Sequence, residues 1–257
     1  MRNPFIKIMT EQYYKMVLAE YPIYYQLRNE TAAKWFEWHI CPANEIPDYA
    51  IRLTDEILEK NRSLFSLETP EDYMEYRLLV SQTCRLLAEN ERFIIHSVAF
   101  IWKGLAWLLT APSGTGKTTQ FKLWKTLWPD EVRILCGDMP LLHIRPDEKI
   151  WVYPSPWNGN ERFGFNSHDP IPLGGIVYLE QGVNNKIEAA DLHKIILPLW
   201  NQDADYEDTE LQIRSRAYFF DYLLSCYPVW MLINRGDRKS AMMTRYTIEQ
   251  YLQEKKE

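Results

Sequence analysis

Apolar and polar positions alternate through the first sixty residues and then change rhythm. In Lys34-Trp35-Phe36-Glu37-Trp38-His39-Ile40 the residues Phe36, Trp38 and Ile40 recur at every second position, and Ala50-Ile51-Arg52-Leu53-Thr54 alternates likewise. Successive side chains of an extended chain point to opposite faces, so both stretches predict half-buried strands. The aromatic run Tyr21 to Tyr25 reads as core at strand spacing rather than as a ligand platform. His39 and Cys41 share a face of the predicted strand and read as structural. At Thr69-Pro70-Glu71-Asp72 the period lengthens. A hydroxyl cap, a proline at the first helical position and two acids near the positive end of the helix dipole predict a helix to about residue 90. Its buried stripe is Tyr76, Leu79, Thr83, Leu86 and Leu87.

From residue 92 the pattern predicts a more regular domain. Residues 92–102 form a strand, Lys103-Gly104 a tight turn, and 105–109 a second, fully apolar strand, which together make a hairpin. A helix follows over 121–128, then an apolar strand over 132–136 that ends in Gly137-Asp138. Residues 141–144 and 149–153 flank Arg145-Pro146-Asp147-Glu148 as a second hairpin. The stretch 154–175 is dense in Pro, Gly and Asn, too long for a simple connection, and predicts a functional lid carrying Arg162. Beyond it come a buried strand over 175–180, a helix through Leu192, Ile195, Ile196 and Leu199, a helix over 208–227, a strand over 229–234 and a polar terminal helix. Two hairpins exclude an all-parallel sheet, whose strands would each need a crossover helix. The expected fold is α/β with a mixed, partly antiparallel sheet. It comprises a β-rich aromatic N-terminal region with its helix over residues 1–91 and a core over 92–257.

Chemistry concentrates where the first hairpin ends. Ala111-Pro112-Ser113-Gly114-Thr115-Gly116-Lys117-Thr118-Thr119 fits the phosphate-loop pattern G-x-x-x-x-G-K-[ST], except that Ala111 stands at its first glycine. The pattern works because consecutive backbone N–H groups and the positive end of the following helix surround a di- or triphosphate. Ser113, Gly114, Thr115, Gly116, Lys117, Thr118 and Thr119 are the expected nucleotide contacts. Lys117 reaches toward the β and γ phosphates, and the Thr118 hydroxyl ligates Mg²⁺. Asp138, at the end of the next apolar strand, is the expected acid for metal or proton transfer. A lid arginine such as Arg162 can neutralise a transferred phosphoryl group. Arg235 and Arg238, around Gly236-Asp237, lie just past a strand end and are weaker candidates for a nucleotide contact. Asn185-Lys186-Ile187-Glu188 superficially matches a guanine-reading motif, but it starts several residues past its strand and ends in Glu, so it is set aside.

Composition narrows the partners. The 257 residues are 46% hydrophobic and 25% charged, enough to bury a full core. Lys plus Arg number 29 against 35 Asp plus Glu, with no basic run, so nucleic acid is not expected. No segment has the apolar length of a signal peptide or membrane span, which predicts a cytoplasmic protein without a membrane partner. Cys41, Cys84, Cys136 and Cys226 are widely spaced and read as reduced core thiols. The residues leave a monomer and a homo-oligomer equally open.

The combination resembles the HPr kinase/phosphorylase and phosphoenolpyruvate carboxykinase superfamily. His96-Ser97-Val98, the Lys103-Gly104 turn, Ser113-Gly114-Thr115-Gly116-Lys117-Thr118 and Gly137-Asp138 match the bacterial serine kinase in order and spacing. The resemblance is specific over residues 92–140, diffuse from there onward, and absent from the first 90. It implies a P-loop fold with a mixed sheet, ATP and Mg²⁺ as cofactors, and a histidine near the phosphates at His96. It also implies two consecutive aspartates where this chain has Asp138-Met139. One acid must then serve metal or proton transfer, while the other role passes to His96, to a carboxylate such as Glu180, or is lost. The expectation is an ATP-dependent phosphotransferase acting on a hydroxyl, a serine of a peptide or small protein, through Asp138, His96, Lys117 and Arg162, with Thr118 and Asp138 on the metal. The alternatives are a nucleotide-responsive binding protein without chemistry and a small-metabolite kinase.

Overall fold

The computed structural model describes residues 12–157, 169–202 and 209–255. The chain divides into two compact units, Met1–Thr83 and Cys84–Glu257.

In the first unit β1 (Tyr13–Leu18) and β2 (Tyr21–Gln26) pair as an antiparallel hairpin. The two residues that join them, Ala19 and Glu20, both have positive φ, as a tight turn matched to strand twist requires. β3 (Cys41–Pro42) adds to β1. The alternation at Phe36, Trp38 and Ile40 does not make a strand: Glu30–His39 winds into a 3₁₀ helix. Local capping overrides the period here. Asn29 accepts from the Thr31 N–H at 3.0 Å, and Glu75 takes the backbone N–H groups of Arg28 and Asn29 at 2.7 and 3.1 Å. Asp72 holds the Thr31 hydroxyl and the Lys34 ammonium. Phe36 still reaches the core, against Tyr25 and Tyr76. The expected strand around Ile51 reduces to one bridge with Tyr25, because Thr54 caps α1 (Asp55–Asn61) straight after it. α2 (Glu71–Glu89) matches the predicted helix, with Leu79, Thr83 and Leu87 fully buried. Pro70 lies one place earlier than expected, since its carbonyl accepts the first helical bond, from Met74. The boundary between the units falls within α2.

The second unit is a nine-stranded mixed sheet. Its strands are β4 (Arg92–Ile94), β5 (Ser97–Trp102), β6 (Leu105–Thr110), β7 (Arg133–Cys136), β8 (Leu141–Ile144), β9 (Ile150–Tyr153), β10 (Ile171–Gln181), β11 (Lys186–Ala189) and β12 (Val229–Asn234). Among the described residues five helical segments accompany them: the end of α2, then α3 (Lys117–Leu127), α4 (Leu192–Trp200), α5 (Glu210–Cys226) and α6 (Arg238–Glu254). The main path runs β4-β8-β9-β10-β6-β5-β7, and β12 also pairs with β10 and carries β11 on its far side. β6 runs parallel to β10 and β10 parallel to β12, while β5, β7 and β9 pair antiparallel, so the sheet is mixed and partly antiparallel.

Strand alternation divides the core in two. From β5, Val98, Phe100 and Trp102 pack with Phe121 and Trp124 of α3 and with Ala241 and Ile248 of α6. Ala99 and Ile101 pack with Ile195 and Leu199 of α4 and Phe219, Phe220 and Leu223 of α5. Both faces are covered, so every residue of β5 is buried, and the sequence there is continuously apolar rather than alternating.

The β5–β6 hairpin turns at Lys103-Gly104, both with positive φ, and the β8–β9 hairpin is likewise where the pattern puts it. Other expectations change. The strand expected over 92–102 breaks at Ile95-His96 into β4 and β5. β10 starts at Ile171, so the expected lid region gives way to strand before Gly175. Residues 158–168, and Arg162 with them, lie outside the described residues. β11 was not anticipated, and it occupies most of the motif set aside at Asn185. Cys84 and Cys136 are buried, but Cys41 and Cys226 are exposed rather than in the core. Among the described residues no helix is long and apolar enough to cross a membrane, and no group of three His, Cys, Asp or Glu residues is placed to hold a metal.

Candidate functional site

The site lies at the end of β6. Ala111 is fully buried in the core under the loop and is not among the residues with positive φ. A methyl group suits that position, which is why it does not need the glycine of the pattern. Gly114 and Gly116 differ, with φ of +79° and +110°, and nothing lies within 4 Å of where a Cβ would stand. They are glycines for backbone freedom, not for space. Gly116 is the N-cap of α3, whose first N–H groups have no acceptor within their own helix. Ser113 and Gly114 are exposed, Thr118 is half-buried and Thr119 exposed on that first turn.

Lys117 opens α3 with only 7% of its surface exposed. Its Nζ donates to the carbonyls of Ala111 at 2.8 Å and Pro112 at 3.4 Å. Burial pushes its pKa below the ordinary lysine value, and the charge of Asp138 offsets part of that.

His96 and Asp138 meet because two bends face each other. β4 pairs with β8 and β5 with β7, so the links Ile95-His96 and Gly137 to Pro140 run opposite one another between two paired ladders. The Ser97 N–H donates to the Asp138 carbonyl at 2.7 Å. The His96 backbone is held on both sides: its N–H donates to the Gln202 carbonyl at 2.6 Å, and its carbonyl accepts from the Thr110 hydroxyl at 2.9 Å. The side chains then pair, His96 Nε2 to Asp138 Oδ1 at 2.8 Å, each about one-third exposed. A carboxylate oxygen accepts in this contact, so Nε2 is the donor nitrogen, and a ring with one N–H then has its lone pair on Nδ1.

On the other side of β6 a cleft of about 490 Å³ opens between loop residues Pro112 to Thr115 and the end of β10, Tyr178 to Gln181. Gln181 Nε2 donates to the Gly114 carbonyl at 3.3 Å, tying β10 to the loop. Burial, with the charge of Glu180 second, raises the pKa of Tyr178. Beyond β10 the turn after β12 passes beside α3: a Cβ on Gly236 would meet Thr119 at 3.9 Å. Asn185 braces this turn, accepting from the Arg235 N–H at 2.9 Å and donating to Asp237 at 2.8 Å. Its amide is spent on structure and does not read a base.

The structure thus brings Lys117, Asp138, His96 and the loop to one end of the β5, β6 and β7 strands, with Thr118 on the adjoining turn. Glu180 and Arg235 stand on the β10–β12 side. The sequence reading missed Thr110, Gln181, Gln202 and the Asn185–Asp237 brace. Each acts through a contact between residues far apart in sequence, which leaves no local pattern, although Asn185 and Asp237 stood inside motifs already noticed.

No protein-family model matches this sequence, and neither does any curated protein. Among solved structures the chain is similar to the Hpr(Ser) kinase/phosphatase from Coxiella burnetii. The TM-score is 0.34 and the identity 11%, over 61% of this chain and 98% of that one. A likeness at that level leaves the site to be read from its own residues.

Proposed function

We propose that the protein is an ATP-dependent phosphotransferase that moves the γ-phosphoryl group to a hydroxyl of a peptide or small protein. The observation that carries this is the 2.8 Å His96–Asp138 pair at the same end of the strands as a glycine-bent loop and the buried ammonium of Lys117. The residues fit the nucleotide and its metal. The loop and first turn of α3 can supply backbone N–H groups, Lys117 a positive charge, and Thr118 with Asp138 two oxygen ligands. That modest donor set suits Mg²⁺, which keeps waters and substrate phosphates in its shell. When bound, magnesium ATP supplies the phosphoryl group and neutralises charge on its oxygens.

The remaining chemistry belongs to the chain. The loop and Lys117 hold phosphate charge in a fixed array of donors. His96 Nδ1 accepts the proton of the acceptor hydroxyl, and Asp138 holds the ring in that tautomer and stabilises its charged form. The position after Asp138 is Met139, whose N–H donates to the Trp157 carbonyl at 3.2 Å. One acid and one histidine therefore divide the work.

The test uses a lysate treated with the protein and ATP and read by phosphopeptide mass spectrometry. Wild type should yield a phosphorylated acceptor. Asp138→Asn should keep nucleotide binding while cutting transfer by roughly 10²- to 10⁴-fold. The observation of Met139 in place of a second acid favours one other reading, a nucleotide-responsive binding protein. That reading is correct if ATP raises the melting temperature while wild type phosphorylates nothing and releases no ADP.

A further inference from the structure

The order of strands gives the nucleotide a direction. In the middle of the sheet the strands run β12-β10-β6-β5-β7, and the loop leaves the end of β6. His96 and Asp138 come from the β5 and β7 side. The cleft and Arg235 come from the β10 and β12 side. If transfer takes place at His96, as the reading above holds, the γ end of the nucleotide lies toward β5, and the nucleoside end must extend the other way.

We infer that the nucleoside end lies toward the ends of β10 and β12 and that the Arg235 guanidinium binds the α-phosphate. Three features support a built position. First, the turn that carries Arg235 runs beside Thr119, on the first turn of α3, where the α- and β-phosphates are cradled in this kind of loop. Second, the turn is braced on every side. Asn234 donates to the Glu180 carbonyl at 3.1 Å and accepts from the Gly236 N–H at 2.9 Å, while Asn185 bridges Arg235 and Asp237. Third, this rigid turn presents a side chain that is 59% exposed, with an ion-pair contact of 4.0 Å to Asp237. The other oxygen of that carboxylate, Oδ1, caps α6 through the Ser240 N–H at 3.1 Å and accepts from Asn185, which fixes the group in place. A guanidinium exchanges so loose a contact for a phosphate readily, because its fork matches two phosphate oxygens. Glu180, exposed at the end of β10, is the acid facing the same cleft. Its carboxylate suits ribose hydroxyls, not phosphate.

The experiment titrates full-length wild type, Arg235→Ala and Arg235→Lys with ATP and ADP in magnesium buffer by calorimetry, with AMP measured by competition against a fluorescent ATP analogue. Arg235 is exposed, so the variants should melt with wild type. Arg235→Ala should weaken AMP, ADP and ATP alike, by roughly tenfold each, because the α-phosphate is common to all three. Arg235→Lys should recover part of that loss. If wild type binds and Arg235→Ala matches it, the placement is wrong while the phosphotransferase reading stands. A loss confined to ATP would put the arginine at the γ end and overturn the direction. If wild type binds no nucleotide, the inference and the reading beneath it fall together.

Discussion

Replacing Lys117 by Met separates what the residue does for the fold from what it does for a ligand. Methionine keeps an unbranched stem of similar length and removes the charge. The ammonium is almost wholly buried and donates to two loop carbonyls, at 2.8 and 3.4 Å. Losing hydrogen bonds from a charged donor costs about 1.5–3 kcal/mol. Against that, the variant no longer buries an ion, a cost of several kcal/mol even after relaxation. The two are opposite in sign and similar in size, so the net change should stay within about 1 kcal/mol, or roughly 2–4 °C in melting temperature for a unit of this length. Nucleotide affinity has no such compensation. A lost ammonium–phosphate contact should weaken ATP by about 10- to 100-fold.

Thermal unfolding and calorimetric titration of the same two preparations give both numbers. A destabilisation above about 3 kcal/mol would make Lys117 a strut for the loop, and ATP binding within about twofold of wild type would remove it from the phosphate site. The pH dependence adds a check on sign. The folded pKa of Lys117 lies below its unfolded value of about 10.4, so between the two the unfolded chain binds more protons. Stability due to this group therefore rises with pH across that window. Lys117→Met lacks the rise, so wild type should gain on the variant in urea midpoint as pH climbs toward the ordinary lysine value of about 10.4. A gap that moves the other way would contradict the burial argument.

Two further substitutions test the frame around the site. Gly174 lies where the β10–β6 register shifts, and a Cβ there would stand 2.7 Å from the ring of the fully buried Trp107. Gly174→Ala should cost about 1–3 kcal/mol by urea denaturation, and an unchanged midpoint would mean that the ring yields freely. The pKa of Asp237 is lowered first by its hydrogen bond from Asn185, then by the Ser240 N–H and by Arg235. Its stabilising effect is therefore present above the ordinary aspartate value of about 3.9 and is lost as pH falls through the depressed folded value. Asp237→Ala should be less stable than wild type at pH 7, the two curves should merge in acid, and a gap that persists there would rule out the carboxylate as its source.

Most of the second unit was legible because its signals are local. The Lys103-Gly104 turn requires positive φ at two successive residues and sets the β5–β6 register by itself. Continuous apolar runs at β5 and β6 require a sheet covered on both faces, which the α3–α6 and α4–α5 layers supply. The first unit was less legible. Phe36 and Ile40 alternate as a strand would, but the period competes with a cap at Asn29 and with carboxylates on α2 more than forty positions away. Contacts at that separation leave nothing in a short window of sequence, so the wrong element was read from a true pattern.

The site itself was half legible for the same reason. The glycine-bent loop is one uninterrupted stretch, so its glycines and lysine can be read directly, and Ala111 was its one departure from the expected pattern in need of a structural account. The His96–Asp138 pair is different in kind. Residues 92–102 carry no glycine or proline before the turn, and nothing in them announces the break at Ile95-His96. The break exists because β8 and β7 bend opposite it, and the Asp138 carbonyl, the Gln202 carbonyl and the Thr110 hydroxyl all hold the backbone there. Three partners from three distant parts of the chain fix one histidine within reach of one aspartate. Rigid convergence of that sort is what the proposed proton transfer needs, since a ring free to turn would lose its hydrogen bond to Asp138. The same reasoning makes Thr110 the informative neighbour. Its hydroxyl sits at the end of the strand that feeds the loop and touches the backbone of His96, so it joins the phosphate-loop strand to the pair by a single hydrogen bond.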